Sequence, residues 1–328
     1  MKNILCVLIV MILLAGCVGK PSSHQTILFY GNITSIEPLL EYFENGTSIK
    51  VDYQRISSTD FLSKLTGEYE IGSLEFDVIQ APITVLEQLA KMGVLSPYVS
   101  SSGAYYPDWA RRESEGIYKF AIEYVGILYN SDFVNVLELP KNIRDLADPK
   151  WKDKIVMPNP SIHPTTISWL VSLKNHDSYF NNNESEWESF LRGLARNNPL
   201  FVESFTPTAS VIKNGERPIG ISMPKYIITN SPSSLRLVEM TTMLGSLRGI
   251  GISADAKNLE AAQSFIDFWL SDNAAKFLAN EVGEYVLSSG IYPPIDNIEE
   301  ISVFPIADLS DEETVYWGNV FKSIFNIE

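Results

Sequence analysis

The run YKFAIEYVGILY, Tyr118–Tyr129, decides how this chain folds. It is a long β-run with no internal turn, roughly twice the five or six residues of a common strand. In a chain this long, one strand of that length is expected to pass from one lobe to another. Upstream, short β-runs alternate with helical patterns, which favours α/β layering. Thr26–Tyr30 reads as an apolar strand closing at Gly31-Asn32, and Ile36, Leu39, Leu40 and Phe43 follow at helical spacing. Ser48–Gln54 alternates like a second strand, and Thr59-Asp60 precedes a helix with Phe61, Leu62 and Leu65 on one face. Phe76–Gln80 is a third strand, followed by Pro82 and a helix through Lys91. Downstream, Ile155–Met157 and Pro218–Ser222 read as strands, and Thr165–Lys174, Trp187–Arg196 and Asn258–Leu270 as helices. Leu247–Ile252 is a second candidate crossing. Ser271 caps a helix through Asn280, and the tail around Val315–Ile327 is an amphipathic helix.

Met1–Gly19 reads as a targeting segment: Lys2, an apolar stretch over Ile4–Leu14, then Leu14-Ala15-Gly16-Cys17. This has the pattern of a bacterial lipobox, with residues 1–16 a signal peptide and Cys17 the lipid acceptor. An ordinary secretory peptide or an uncleaved anchor is the alternative. Residues 17–25 read as a flexible tether. Cys6 and Cys17 are the chain's two cysteines, so the body of the protein is expected to hold neither thiol chemistry nor a disulfide. A body of about 300 residues exceeds one comfortable core, which again favours two lobes. The expected partition is 26–120 for lobe 1, 121–246 for lobe 2, and 247–328 for the return to lobe 1 and the C-terminal helices. The formal charge of −15, from 40 acidic and 25 basic residues, argues against nucleic acid and against anionic lipid. N-x-S/T sequons stand at Asn32, Asn45 and Asn183.

Five segments in order carry a resemblance: FDVIQAPITVLEQLAKMGVLSPY (Phe76–Tyr98), YVGILYNSDFV (Tyr124–Val134), LPKNIRDLADPKWKDKIVMPNPS (Leu139–Ser161), VIKNGERPIGIS (Val211–Ser222) and NLEAAQSFIDFWLSDNAAKFLANEVGEY (Asn258–Tyr285). DLADPKWKDKI is the most specific. Together they resemble the type 2 periplasmic solute-binding proteins of ABC importers, in the branch around the ferric-ion binders. The resemblance implies two α/β lobes joined by crossing strands, with a ligand held in the cleft between them. It implies an extracytoplasmic, lipid-anchored monomer that closes on its solute and delivers it to a membrane permease, with no cofactor. A ligand sensor acting on a membrane receptor is the alternative within the same fold.

In such folds the ligand sits where loops leave strand ends and helices begin, and helix N-termini favour anions. Ser161, Thr165 and Thr166 can donate to an oxyanion, and His163 can add charge or ligate a metal. A plain alternative is that Ser161 or Thr165 caps the helix, with Pro164 near its first position. The other expected cleft edges are Tyr30, Gly31 and Asn32, then Gln80 and Ala81, then Ser204 and Thr206, and finally Lys225 and Tyr226. The ferric-ion binders the chain resembles use adjacent tyrosines at this last place, whereas here Lys225 precedes a single Tyr226. Lys225, if inward, suits an anion; if outward it is a surface lysine. Two ligand classes therefore stand: a small oxyanion or organic anion, and Fe(III) with an anion, for which Tyr226 and His163 are the candidate metal ligands. An enzyme is not expected. The chain has no H-E-x-x-H, G-x-S-x-G, C-x-x-C or phosphate-loop lysine motif, and a cell-surface hydrolase would need dispersed catalytic residues. Gly249-x-Gly251-x-x-Ala254 fits a nucleotide fingerprint in form only, since it lies inside a β-run.

Overall fold

The computed structural model describes residues 25–56 and 60–327. Residues 1–24, with Cys17, and Thr59 lie outside them. The chain opens with β1 (Thr26–Gly31), α1 (Glu37–Thr47), β2 (Lys50–Arg55), α2 (Phe61–Glu70), β3 (Val78–Pro82) and α3 (Ile83–Lys91). Short strands β4 (Leu95–Ser96) and β5 (Arg111–Arg112) lead into β6 (Ile117–Asn130). Next come β7 (Ile155–Pro158), α4 (Pro164–Asn175), α5 (Glu184–Arg196), β8 (Leu200–Val202), α6 (Phe205–Lys213), β9 (Ile219–Ser222), α7 (Lys225–Thr229) and β10 (Leu235–Leu237). The chain finishes with β11 (Thr242–Ser253), α8 (Leu259–Trp269), α9 (Asp272–Phe277), β12 (Tyr285–Val286), β13 (Ser302–Pro305) and α10 (Asp311–Phe325).

β6 is the expected long strand, one residue longer at each end. Its residues 118–125 pair with β11, and residues 126–129 pair with β9. One strand thus serves both halves of a sheet ordered β2-β1-β3-β11-β6-β9-β7-β8. The outer strands are parallel within each half, and β3, β11, β6 and β9 are antiparallel at the centre. β11 starts five residues before the expected Leu247, because Thr242–Gly245 find a parallel partner in β13.

Each half of the sheet buries apolar side chains on both faces, as parallel strands in α/β proteins require. In lobe 1, Phe29, Phe43, Phe120, Phe265 and Trp269 pack on one face, and Phe61, Phe76, Leu86 and Ile79 on the other. In lobe 2, Trp151, Trp169, Trp187 and Leu191 fill the larger core. The C-terminal helix α10 lays Phe321 and Phe325 into that same lobe-2 core. It starts with a capping box in which Ser310 and Glu313 exchange side-chain and backbone hydrogen bonds.

The carboxyl end of β1 carries the loop before α1, and β3 runs directly into α3. The carboxyl ends of β7, β8 and β9 carry the loops before α4, α6 and α7. In open α/β sheets these strand ends are where ligands bind.

Candidate functional site

Glu123 on β6 and Arg248 on β11 form the floor between the two sets of strand ends. Ser246 lies opposite Glu123 and Arg248 opposite Ala121, so the two charges are diagonal neighbours on one face. The register skips Phe120 between Arg248 and Gly249, and such irregularities re-aim a side chain locally. Arg248 Nη2 meets Glu123 Oε1 at 2.5 Å, and its Nη1 donates to Asn32 Oδ1 at 2.5 Å. Its Nε lies 3.3 Å from Glu284 Oε2, a charge contact whose angle makes no hydrogen bond. Lys225 Nζ donates to the same Glu123 Oε1. The side chains of Arg248 and Glu284 are 4% and 1% exposed, those of Lys225 and Glu123 18% and 16%. Two groups are therefore sealed below, and two reach the cleft.

The charges are set by burial and by each other. Burial works to raise the Glu123 carboxyl, but the charges of Arg248 and Lys225 overcome it and hold it at about 2. Burial opposes the Lys225 ammonium, and Glu123 reverses that and raises it. For Glu284 burial wins: Arg248 and Lys225 offset it only in part, and the carboxyl is raised.

Lobe 1 reaches this floor through Asn32, whose backbone N–H donates to Gln80 Oε1 at 3.0 Å. Gly31 is required here, since a Cβ would stand 2.9 Å from the Tyr53 ring and 3.2 Å from Gln80 Oε1. Lobe 2 reaches it through α7. Lys225 Nζ lies 5.7 Å from the centre of the Tyr226 ring, and Tyr226 OH is 2.8 Å from Thr206 Oγ1. Beneath α7 lies Gly283 at φ +82°, where a Cβ would stand 2.8 Å from Lys225 Cα. A polar track thus runs Gln80–Asn32–Arg248–Glu123–Lys225–Tyr226–Thr206, from lobe 1 across the crossing strands into lobe 2.

The track joins Asn32, Gln80, Lys225, Tyr226 and Thr206 of the expected residues, with Gly31 alongside. Tyr30 turns into the lobe-1 core instead, donating from its hydroxyl to Glu68 at 3.0 Å, and Ala81 is buried there. Lys225 points inward. The α4 cap is neither Ser161 nor Thr165: His163 Nδ1 accepts from the Thr166 N–H at 3.3 Å and lies 2.9 Å from Thr166 Oγ1. That acceptor role requires a neutral ring, and burial duly lowers His163 to about 4, with Glu123 pulling weakly the other way. The His163 ring stands edge-on to Phe205 at 5.0 Å, which ties the start of α4 to the start of α6. Ser161 Oγ donates to Asn159 Oδ1 at 2.7 Å, Thr165 is half-buried and Thr166 buried. Ser204 begins α6 without a side-chain cap bond. Of the sequons, Asn32 holds Arg248, and Asn183 caps α5 by accepting from Glu186 N–H at 3.2 Å.

Sequence reasoning missed Glu123, Arg248 and Glu284. The available signal was a lone charge in the middle of each crossing strand, in AIEYV and SLRGI. A charge buried there must be paired. Among the described residues no three His, Cys, Asp or Glu side chains cluster as a metal site. A cavity of about 790 Å³ lies elsewhere, between Val136–Lys141, β10 and Pro294–Ile301, and shares none of these residues.

A cleft floored by two crossing strands and walled by strand-end loops of two α/β lobes defines a two-lobe binding protein. The family model for the bacterial extracellular solute-binding proteins matches residues 30–276, and the chain belongs to that family. Its members bind solutes for transport rather than transform them. Iron uptake protein A1 of Synechocystis is 21% identical over 296 residues, covering 84% of this chain and 80% of that protein. Among solved structures, iron-bound HitA from Pseudomonas aeruginosa superposes with a TM-score of 0.69 at 18% identity, over 92% of this chain and 98% of that one. AfuA from Actinobacillus pleuropneumoniae with fructose-6-phosphate gives 0.68 at 19%, over 93% and 97%.

Proposed function

We propose that the protein is anchored by a lipid at Cys17, captures a small organic anion between its lobes, and delivers it to the permease of an ABC importer. The observation that carries the ligand class is the inward Lys225, standing where ferric-ion binders resembling this chain place a tyrosine, with Arg248 behind it. Helices α4 and α6 start on the same side, with Thr165 and Thr206 in their first turns, and their dipoles add to the attraction for an anion. AfuA, of the same fold, is described with a phosphorylated sugar bound. An anion reaching both the α4 and α6 starts and Asn32 would hold the closed form by contacts with both lobes.

Fe(III) with an anion is the second reading, favoured by the names of Iron uptake protein A1 and HitA and by the Tyr226 phenol in the track. A thermal-shift screen of the purified protein separates the two, with organic anions, phosphate and Fe(III) as probes. A ligand at 100 times its Kd adds about 2.7 kcal/mol, a rise of about 5 °C for a chain of this size. Organic anions are expected to give that rise and to lose it in Lys225→Met. An Fe(III) shift, with a visible charge-transfer band that disappears in Tyr226→Phe, would establish the second reading instead.

A further inference from the structure

Resting on the anion reading above, we infer that Glu123 Oε2 is a ligand acceptor, so that the solute is an organic anion carrying a hydroxyl beside its carboxylate or phosphate. Both cations of the floor converge on one oxygen of Glu123. Lys225 Nζ and Arg248 Nη2 each bond Oε1. Among the described residues no donor reaches Oε2. Oε2 is also not one of the sealed, unpaired oxygens, in contrast to both oxygens of Glu284. It therefore keeps access to solvent as an acceptor fixed in place by two charges, next to an ammonium with donors to spare. A ligand that fits this pair offers an anionic oxygen to Lys225 and an O–H to Glu123. A fully ionised oxyanion such as sulfate offers only acceptors and would set its charge against Oε2.

The charge balance selects hydroxyl over ammonium as the donor. Glu284 is buried without a hydrogen bond and sees Arg248, Lys225, Glu123 and the Tyr124 hydroxyl. Burial raises its carboxyl. Arg248 and Lys225 already stand on Glu123, so an ammonium on the ligand would set a third cation beside Lys225 in a site with little water to screen it, a repulsion that a neutral O–H avoids.

The test is calorimetric titration of the purified protein with matched pairs: lactate and propionate, citrate and tricarballylate, glycerol 3-phosphate and propyl phosphate. In the pair that binds tightest, the hydroxylated member is expected to bind about 10- to 100-fold tighter, the range of a hydrogen bond to a charged group. Glu123→Gln, which keeps an acceptor but no charge, is expected to shrink that ratio to a few-fold; the wild-type ratio stands even if this variant does not fold. Equal affinities within every pair, all lost in Lys225→Met, overturn the acceptor role and leave the anion reading standing. 2-Aminoethyl phosphate binding tighter than glycerol 3-phosphate overturns the choice of hydroxyl. No binding by any of these anions overturns the anion reading and this inference with it.

Discussion

Arg248 and Glu284 are the two most deeply sealed charges of the floor, yet removing them should have opposite consequences. Arg248→Met deletes the bonds to Asn32 and Glu123, both at 2.5 Å, and leaves Glu284 without its contacting cation. Breaking a buried pair on one side costs about 3–5 kcal/mol, consistent with two charge-assisted hydrogen bonds at about 1.5–3 kcal/mol each. Glu284→Gln removes only the 3.3 Å contact with Arg248, from a carboxyl that makes no hydrogen bond. Its sign follows from the raised carboxyl. The wild-type group contributes stability that is fully present below its unfolded value of 4.5 and is lost as pH rises through its folded value. Glu284→Gln, a fixed neutral form, should therefore gain on wild type above pH 4.5, by at most about 1.4 kcal/mol per pH unit. Urea unfolding followed by tryptophan fluorescence reads this directly. With a slope of about 3 kcal/mol per M, Arg248→Met should lower the midpoint by about 1–1.7 M at pH 7.5, and Glu284→Gln should leave it unchanged or raised. A Glu284→Gln midpoint that falls as far as that of Arg248→Met would refute the reasoning, because Glu284 would then be an indispensable ionised partner.

His163 is neutral in the fold and held at about 4 against an ordinary 6.5, so its contribution is present above pH 6.5 and is lost as pH falls toward 4. His163→Asn keeps a cap for α4 and should flatten urea midpoints across that window, whereas His163→Ala should cost about 1 kcal/mol at pH 7.5. Gly283→Ala puts a methyl against Lys225 at a left-handed backbone position; a loss of about 2–4 kcal/mol is expected, with weaker anion binding by calorimetry. Tyr226→Phe removes the 2.8 Å bond to Thr206 at a half-exposed site. It should cost about 1 kcal/mol or less in thermal unfolding, with anion affinity kept within a few-fold.

The long strand was legible because fourteen residues from Ile117 to Asn130 are nearly all apolar and buried on both faces. The helices α4, α5, α8 and α10 were legible from their spacing, within a few residues at their ends. β10 and β13 escaped because three- or four-residue strands carry no period, and they form only where β6 and β11 offer an edge. The strand-end loops could be named from topology, which is how Asn32, Gln80, Thr206, Lys225 and Tyr226 were reached. What joins them could not. Lys225 and Glu123 are 102 residues apart and Arg248 and Asn32 are 216 apart, brought together by a sheet register that skips Phe120. The capping role passed from the hydroxyls to His163 for a similar reason. Burial keeps the His163 ring neutral and its Nδ1 free to accept, and its edge-on contact with Phe205 arises only in the fold.

The most direct measurement is the affinity of citrate and glycerol 3-phosphate for wild type and Lys225→Met, by calorimetry in parallel with Fe(III). Saturable one-to-one binding of at least one of the two anions, weakened about 100-fold in Lys225→Met, is predicted, as expected for loss of a charge-assisted contact of about 3 kcal/mol. Anion affinity indifferent to Lys225, or tight Fe(III) binding that depends on Tyr226 and not on Lys225, would contradict it.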